Sequence, residues 1–115
     1  MGKITKFEDI IAWEKAINIS SRTYKIFGAN KDYSFRDQIQ RAAISISNNI
    51  TEGYERMGDK EFKKFLYIAK GSCAEVRSMF YLALELNYLT KIQFNDLYCL
   101  SVEISKMLSG FIKTL

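Results

Sequence analysis

No proline interrupts the 115 residues, and apolar side chains return every three or four positions along most of the chain. Such a chain is free to run in long helices, because nothing in it removes an interior backbone donor or clashes with the preceding turn. No alternating in-and-out run of the kind that marks a strand competes with this period. The spacing predicts four helices over about residues 7–28, 34–53, 59–88 and 91–114, with short breaks and neither a Gly/Ser linker nor a low-complexity tract. Short connections between neighbours predict an all-α fold, an antiparallel up-down-up-down four-helix bundle in one domain over residues 1–115. One domain of this length buries about 65% of its unfolded surface, and 48% hydrophobic against 26% charged residues places it among ordered proteins.

Each predicted helix opens on a capping signal: Thr5 with Glu8, Ser34 with Asp37, Gly58 with Glu61, and Thr90 with Gln93. The first helix is expected to bury Ile10, Trp13, Ile17, Tyr24 and Phe27 and to end in a left-handed cap at Gly28 or Asn30. The second aligns Phe35, Ile39, Ala42, Ala43, Ile46 and Ile50, with small residues that permit close approach and a stop at Gly53. The third carries a continuous stripe from Phe62 through Phe65, Leu66, Ala69, Cys73, Val76, Phe80 and Ala83 to Leu84. The fourth presents Leu97, Leu100, Ile104, Met107, Leu108, Phe111 and Leu115 on one face.

The third helix has more apolar surface than one core stripe needs, since Ile68, Met79, Leu82 and Leu86 lie about 100° from that stripe at 100° per residue. Ile19 and Ile26 give the first helix a similar surplus. Large apolar patches seldom stay exposed, so these faces predict a homo-oligomer; a wide core-facing arc in a monomer is the alternative.

Two polar groupings stand out. Gln38, Arg41, Ser45, Asn49 and Glu52 share one narrow arc of the second helix, and Glu61, Ser72 and Glu75 lie on the flank of the third. Arg41 could fork onto a carboxylate, which makes this seam a device that fixes helix register or a subunit contact; a pocket for a polar ligand is the other reading. On the remaining face of the third helix, Lys60, Lys63, Lys70 and Arg77 alternate with Tyr67 and Tyr81, and Lys64 and Arg56 could widen the patch. Cations meet phosphates and rings stack on bases, so this face is the candidate surface for RNA or DNA; a plain solvated helix face is the alternative.

The net charge of +4 invites anions without naming one. There is no histidine, which removes the usual general base and the commonest metal ligand. Cys73 and Cys99 have no C-x-x-C spacing and no histidine partners, so no zinc or redox motif can be written, and both are expected as small core residues in a reducing compartment. The opening stretch Met1 to Phe7 lacks a long apolar run, and no segment is long enough to span a bilayer, so the expected location is cytoplasmic. No catalytic residue, cofactor or metal is expected.

Several segments, taken together, resemble one family. Phe7 to Ala16 (FEDIIAWEKA), Gln38 to Ile46 (QIQRAAISI), Asn49 to Gly53 (NITEG) and Glu61 to Ser72 (EFKKFLYIAKGS) with Glu75 are similar to the four-helix bundle proteins encoded in bacterial 23S rRNA intervening sequences. The similarity runs from the first helix through Leu89. Ser47 stands where the family often has proline and Thr51 where it often has alanine, both tolerable in a helix. The resemblance implies a small bundle that assembles as a homopentamer without known enzymatic activity, and a related branch is the accessory protein of diversity-generating retroelements, which binds nucleic acid and the reverse transcriptase. Family motif residues fall here on Arg41, Ser45, Asn49, Glu52, Gly53, Glu61, Phe62, Gly71, Ser72 and Glu75.

The expected function is therefore a non-enzymatic oligomeric bundle that binds RNA or another nucleic acid through its basic face. A protein-interaction scaffold whose partner is encoded nearby is the alternative. An enzyme would have to rest on carboxylates such as Glu52, Glu61 and Glu75 with a divalent ion.

Overall fold

Helices account for nearly all of the chain. In the computed structural model, which describes residues 3–115, a single 3-10 turn over Phe7–Asp9 precedes α1 (Ile11–Phe27), α2 (Tyr33–Glu55), α3 (Asp59–Glu85) and α4 (Lys91–Lys113). No strand occurs among the described residues, and no helix is long and apolar enough to cross a membrane. Met1 and Gly2 of the opening stretch lie outside the described residues.

The helix limits follow local chemistry. Ile10 is extended (φ −79°, ψ 115°), which separates the Phe7–Asp9 turn from α1 and starts the first helix later than the apolar period predicts. At this turn Thr5 does not pair with Glu8; its backbone N and Oγ1 both donate to Asp9 Oδ2, at 3.0 and 3.1 Å. α1 ends without a left-handed cap, because Gly28 keeps right-handed helical angles (φ −57°, ψ −33°). The cap of α2 is Asp32, not Ser34: Asp32 Oδ1 accepts from the Phe35 backbone N at 3.2 Å. Gly58 caps α3 with φ 94°, a conformation that favours glycine, and contributes no side chain to the cap. α3 stops at Glu85, short of residue 88, because Asn87 turns left-handed at φ 62° and Tyr88 N closes back on the Ala83 carbonyl at 2.7 Å. Only α4 opens as the sequence predicts in full, with Thr90 and Gln93 capping each other reciprocally.

Neighbours in sequence are neighbours in space. α2 packs most extensively on α3, α3 packs on α4 and α1 on α2, while α1 and α4 meet sparsely. Along α2 and α3, Gln38 faces Glu75, Ser45 faces Ser72, and Gly53 faces Phe65 and Phe62. Gly53 has a packing role, since a Cβ there would stand 2.5 Å from the Phe65 Cβ.

The core faces of α2 and α3 lie where the period puts them, while on the fourth helical segment Leu100, Met107, Phe111 and Leu115, expected inside, are half-buried at the margin. Phe35, Ile39, Ala42, Ala43, Ile46 and Ile50 are buried on α2, and Phe62, Leu66, Ala69, Cys73, Val76, Phe80 and Ala83 on α3, with Phe65 and Leu84 half-buried. α4 adds Phe94, Ser101 and Ile112 to Leu97, Ile104 and Leu108.

α1 is different. Its buried face is Ala12, Ala16, Ile19, Thr23 and Phe27, whereas Ile17 and Tyr24 are 44% and 43% exposed. Ile19 is thus core and not part of a surplus face, and Ile26 packs half-buried against the core. Alanines let α1 sit close to its neighbours, and Thr23 can join the core because its hydroxyl donates to the Ile19 carbonyl at 2.6 Å.

Aromatic rings close both ends of the core. Phe27, Phe35 and Tyr88 meet edge to face at one end, and Tyr54, Phe62 and Phe111 at the other, with centroids 5.2 to 5.7 Å apart. At the first end Tyr88 Oη also donates to Asp32 Oδ2 at 2.7 Å.

Candidate nucleic-acid interface

α3 presents three surfaces beside its buried stripe, because a 27-residue helix flanked by α2 and α4 leaves its outer half uncovered. Toward α2 lies the polar seam, and the structure brings much of it together. Ser72 Oγ donates to Ser45 Oγ at 2.9 Å, and Asn49 Nδ2 donates to both the Ser45 carbonyl and its Oγ at 2.7 and 2.9 Å. Gln38 Nε2 reaches Glu75 Oε2 at 3.5 Å. A shallow recess of about 310 Å³ over these residues is lined by Gln38, Arg41, Ala42, Ser45, Ser72 and Glu75.

The rest of the seam does not join. Arg41 shares that recess with Glu75, but the ion pairs among the described residues are Lys15–Glu103, Arg36–Asp37 and Arg56–Glu52. The expected fork of Arg41 onto a carboxylate is therefore not made: Glu75, in the same recess, is the acceptor for Gln38. Glu52 turns along its own helix to Arg56 at 3.0 Å, and Glu61 lies half-buried with the lysines at the start of α3. Glu52, Glu61 and Glu75 thus have three different surroundings, and no cluster of metal-ligating side chains forms among the described residues.

Toward α4 lies the basic face. Lys63, Lys70 and Arg77 recur every seven residues, two helical turns or about 10.5 Å apart, with their stems half-buried. Lys60, Lys64, Tyr67 and Tyr81 are exposed. The Tyr81 ring is held edge-on by Phe94 and Tyr98 at 5.1 and 5.8 Å, and the neighbouring Tyr98 hydroxyl raises the Tyr81 phenol above its ordinary value. A recess of about 520 Å³ at the start of α3 is lined by Lys60, Glu61, Lys63, Lys64, Tyr67 and Ile68. Arg56 does not widen this face freely, since it pairs with Glu52 and lies over the Phe65 ring at 5.1 Å.

The apolar surplus occupies the other side of the crest. Ile68, Leu82 and Leu86 are exposed, while Met79 packs half-buried against the chain's own core and offers less surface than the sequence predicts. On the opposite side of the molecule Ile11 and Ile17 of α1 are exposed as well.

The two thiols part company. Cys73 is buried and donates to the Ser101 carbonyl at 3.1 Å; burial pushes its thiol up to about 11, with the nearby Arg77 opposing. Cys99 is exposed on α4, so only one of the two expected core cysteines is in the core. Its position follows the helical phase, because 97, 101, 104 and 108 hold the inward face.

Two features stand outside the predicted site. The Asp32–Tyr88 tie joins the start of α2 to the end of α3 across 56 residues of chain, a distance no local signal spans. The small residues Gly71, Ala74 and Ser78 occupy the crest of α3 between Tyr67 and Tyr81, all exposed.

Comparison with known proteins is consistent with this geometry. Residues 8–110 match the family described as 23S rRNA-intervening sequence protein. Among solved structures, a protein of unknown function from the S23 ribosomal protein family of Bacteroides thetaiotaomicron superposes with a TM-score of 0.83 at 27% sequence identity, covering 89% of this chain and 98% of that one. No curated protein matches.

Proposed function

The chain belongs to the 23S rRNA-intervening sequence protein family, and from that membership and the surface of α3 we propose a non-enzymatic, oligomeric four-helix bundle that binds nucleic acid through its basic face. The observation that carries this reading is the freedom of the cations. Lys60, Lys63, Lys64, Lys70 and Arg77 lie on one helix, and none is in an ion pair among the described residues. Cations that outnumber the one carboxylate beside them, Glu61, and pair with no acid attract a polyanion, and releasing its counterions supplies the binding free energy.

The order of the α2–α3 pairs, Gln38 with Glu75 and Gly53 with Phe62, supports an antiparallel arrangement, and the short turns support up-down-up-down connectivity. Ile68, Leu82 and Leu86 support assembly with further copies of the chain, as a pentamer in keeping with the family resemblance. Repetition of the basic face around a ring multiplies weak phosphate contacts without strengthening any one of them. Two free thiols, one of them exposed, favour a reducing cytoplasmic setting.

The test is retention of RNA on a filter at low salt by the purified protein and by a Lys63→Glu, Lys70→Glu double variant, with far-ultraviolet circular dichroism to follow helicity. Loss of retention with unchanged helicity is expected. Equal retention by both proteins defeats the reading and leaves the exposed apolar face of α3 as the main surface, that of a protein-interaction scaffold.

A further inference from the structure

We infer that the strand taken by this face is single-stranded, and that its bases stack on Tyr67 and Tyr81 across a low saddle on the crest of α3; this rests on the nucleic-acid reading above. Tyr67, Gly71, Ala74, Ser78 and Tyr81 follow one another at intervals of four and three, so they form a single stripe along the helix. All five are exposed, the two tyrosines at 57% and 54%.

Between the rings the crest is low. The position of a Cβ on Gly71 meets nothing within 4 Å, and alanine and serine complete the floor. Fourteen residues of helix separate the two tyrosines, about 21 Å. That is a span suited to the shortest single-strand sites, which take about four nucleotides.

Charge and stacking sit side by side. Lys70 and Arg77 each immediately precede a floor residue, so the cations border the saddle along one edge while the rings stand at its ends. At the Tyr67 end the ring shares a recess with Lys60, Lys63 and Lys64, and with Glu61 and Ile68, so three cations to one carboxylate lie beside it and a base and its phosphate have adjoining places. At the other end Phe94 and Tyr98 hold Tyr81 in place, so little ordering is left for binding to impose on that ring. On the opposite flank Glu75 is engaged by Gln38.

A duplex cannot use this surface fully. Its bases are stacked on one another inside the helix and reach no external ring, whereas the unstacked bases of a single strand present their faces. A purely electrostatic surface would bind both forms and would be indifferent to the tyrosines.

Fluorescence anisotropy with a labelled single-stranded RNA of about 12 nucleotides, and with the duplex of the same sequence and length, separates these cases. The wild-type protein is expected to hold the single strand about tenfold more tightly than the duplex, and Tyr67→Ala to weaken the single strand about tenfold while leaving the duplex unchanged. Tyr67→Phe keeps the ring and is expected to bind as wild type; Ala74→Glu, which stays helical but places a carboxylate in the saddle, is expected to lose the single strand. Equal affinity for both forms, or a Tyr67→Ala protein that binds the single strand as wild type does, overturns the stacking inference while a salt-sensitive basic face still stands. Binding of neither form at low salt overturns the nucleic-acid reading itself, and the inference with it.

Discussion

Tyr88 Oη, just past the end of α3, donates to Asp32 Oδ2 at 2.7 Å, while Asp32 Oδ1 accepts from the Phe35 backbone N at the start of α2. One carboxylate thus caps one helix and fastens the turn after another. The Tyr88 hydroxyl, followed by the Phe35 N–H, holds the Asp32 carboxyl below its ordinary value near 3.8, and the same bond holds the Tyr88 phenol above 10.0. A lowered acid contributes stability above its unfolded value and loses it as pH falls through the folded one; a raised phenol contributes below its unfolded value and loses it as pH rises through the folded one. Tyr88→Phe is expected to lower Tm at pH 7, with the gap to wild type closing in acid as Asp32 protonates. Melting curves from pH 7 to pH 2 check this, and a gap that stays constant over that range refutes it.

Two glycine-to-alanine changes should act in opposite directions. At Gly53 the new Cβ would stand 2.5 Å from the Phe65 Cβ, an atom fixed to the backbone, so α2 and α3 must separate. A loss of about 1–3 kcal/mol is expected, the usual cost of overpacking. At Gly71 the space is open, and alanine should gain about 1 kcal/mol from helix propensity alone. Urea denaturation of both variants measures the difference; a Gly53→Ala protein as stable as wild type would mean that the two helices yield more easily than their packing implies.

If Lys63 and Lys70 each meet a phosphate, changing both to glutamine should reduce the slope of log K against log salt by about 1.4, near 0.7 for each contact to a single strand. Binding isotherms at several salt concentrations give that slope. An unchanged slope would place the phosphates elsewhere.

Ile68 and Leu82 are exposed on α3, where a monomer gains nothing from them. Leu82→Asp is expected to shift the protein to the mass of one chain, 13.3 kDa, in light scattering, from about five times that value in wild type. Helicity should be unchanged, because neither side chain belongs to the core. A wild-type protein that already elutes as one chain removes the assembly from the account.

Much of this architecture was legible in the sequence wherever large side chains mark the buried face. On α2 Phe35, Ile39, Ile46 and Ile50, and on α3 Phe62, Leu66, Val76 and Phe80, set the period and are inside. α1 misleads because its inward face is built from Ala12, Ala16 and Thr23, whose size and polarity hide them among the solvent positions, while Ile17 and Tyr24 advertise a face that stays outside. The polar seam was readable as a phase relation, and Ser45 and Ser72 do meet across it. Which acid each cation would choose was not readable: Arg56 lies one turn beyond Glu52 on α2 and takes it, while Arg41 is left without an ion pair among the described residues. At the start of α2 two cap candidates stand two residues apart, and local pattern favours Ser34 with Asp37, whereas the second bond that anchors Asp32, to Tyr88, lies beyond the reach of local pattern.

The sparse meeting of α1 with α4, with the Lys15–Glu103 pair at 3.3 Å among its contacts, is where the ends of the chain come together. Every other helix pair is made by sequence neighbours and can form early, so closure of this last side carries the largest loop entropy for the least contact. The amides of α1 and α4 should accordingly exchange with solvent through a partial opening that leaves α2 and α3 protected.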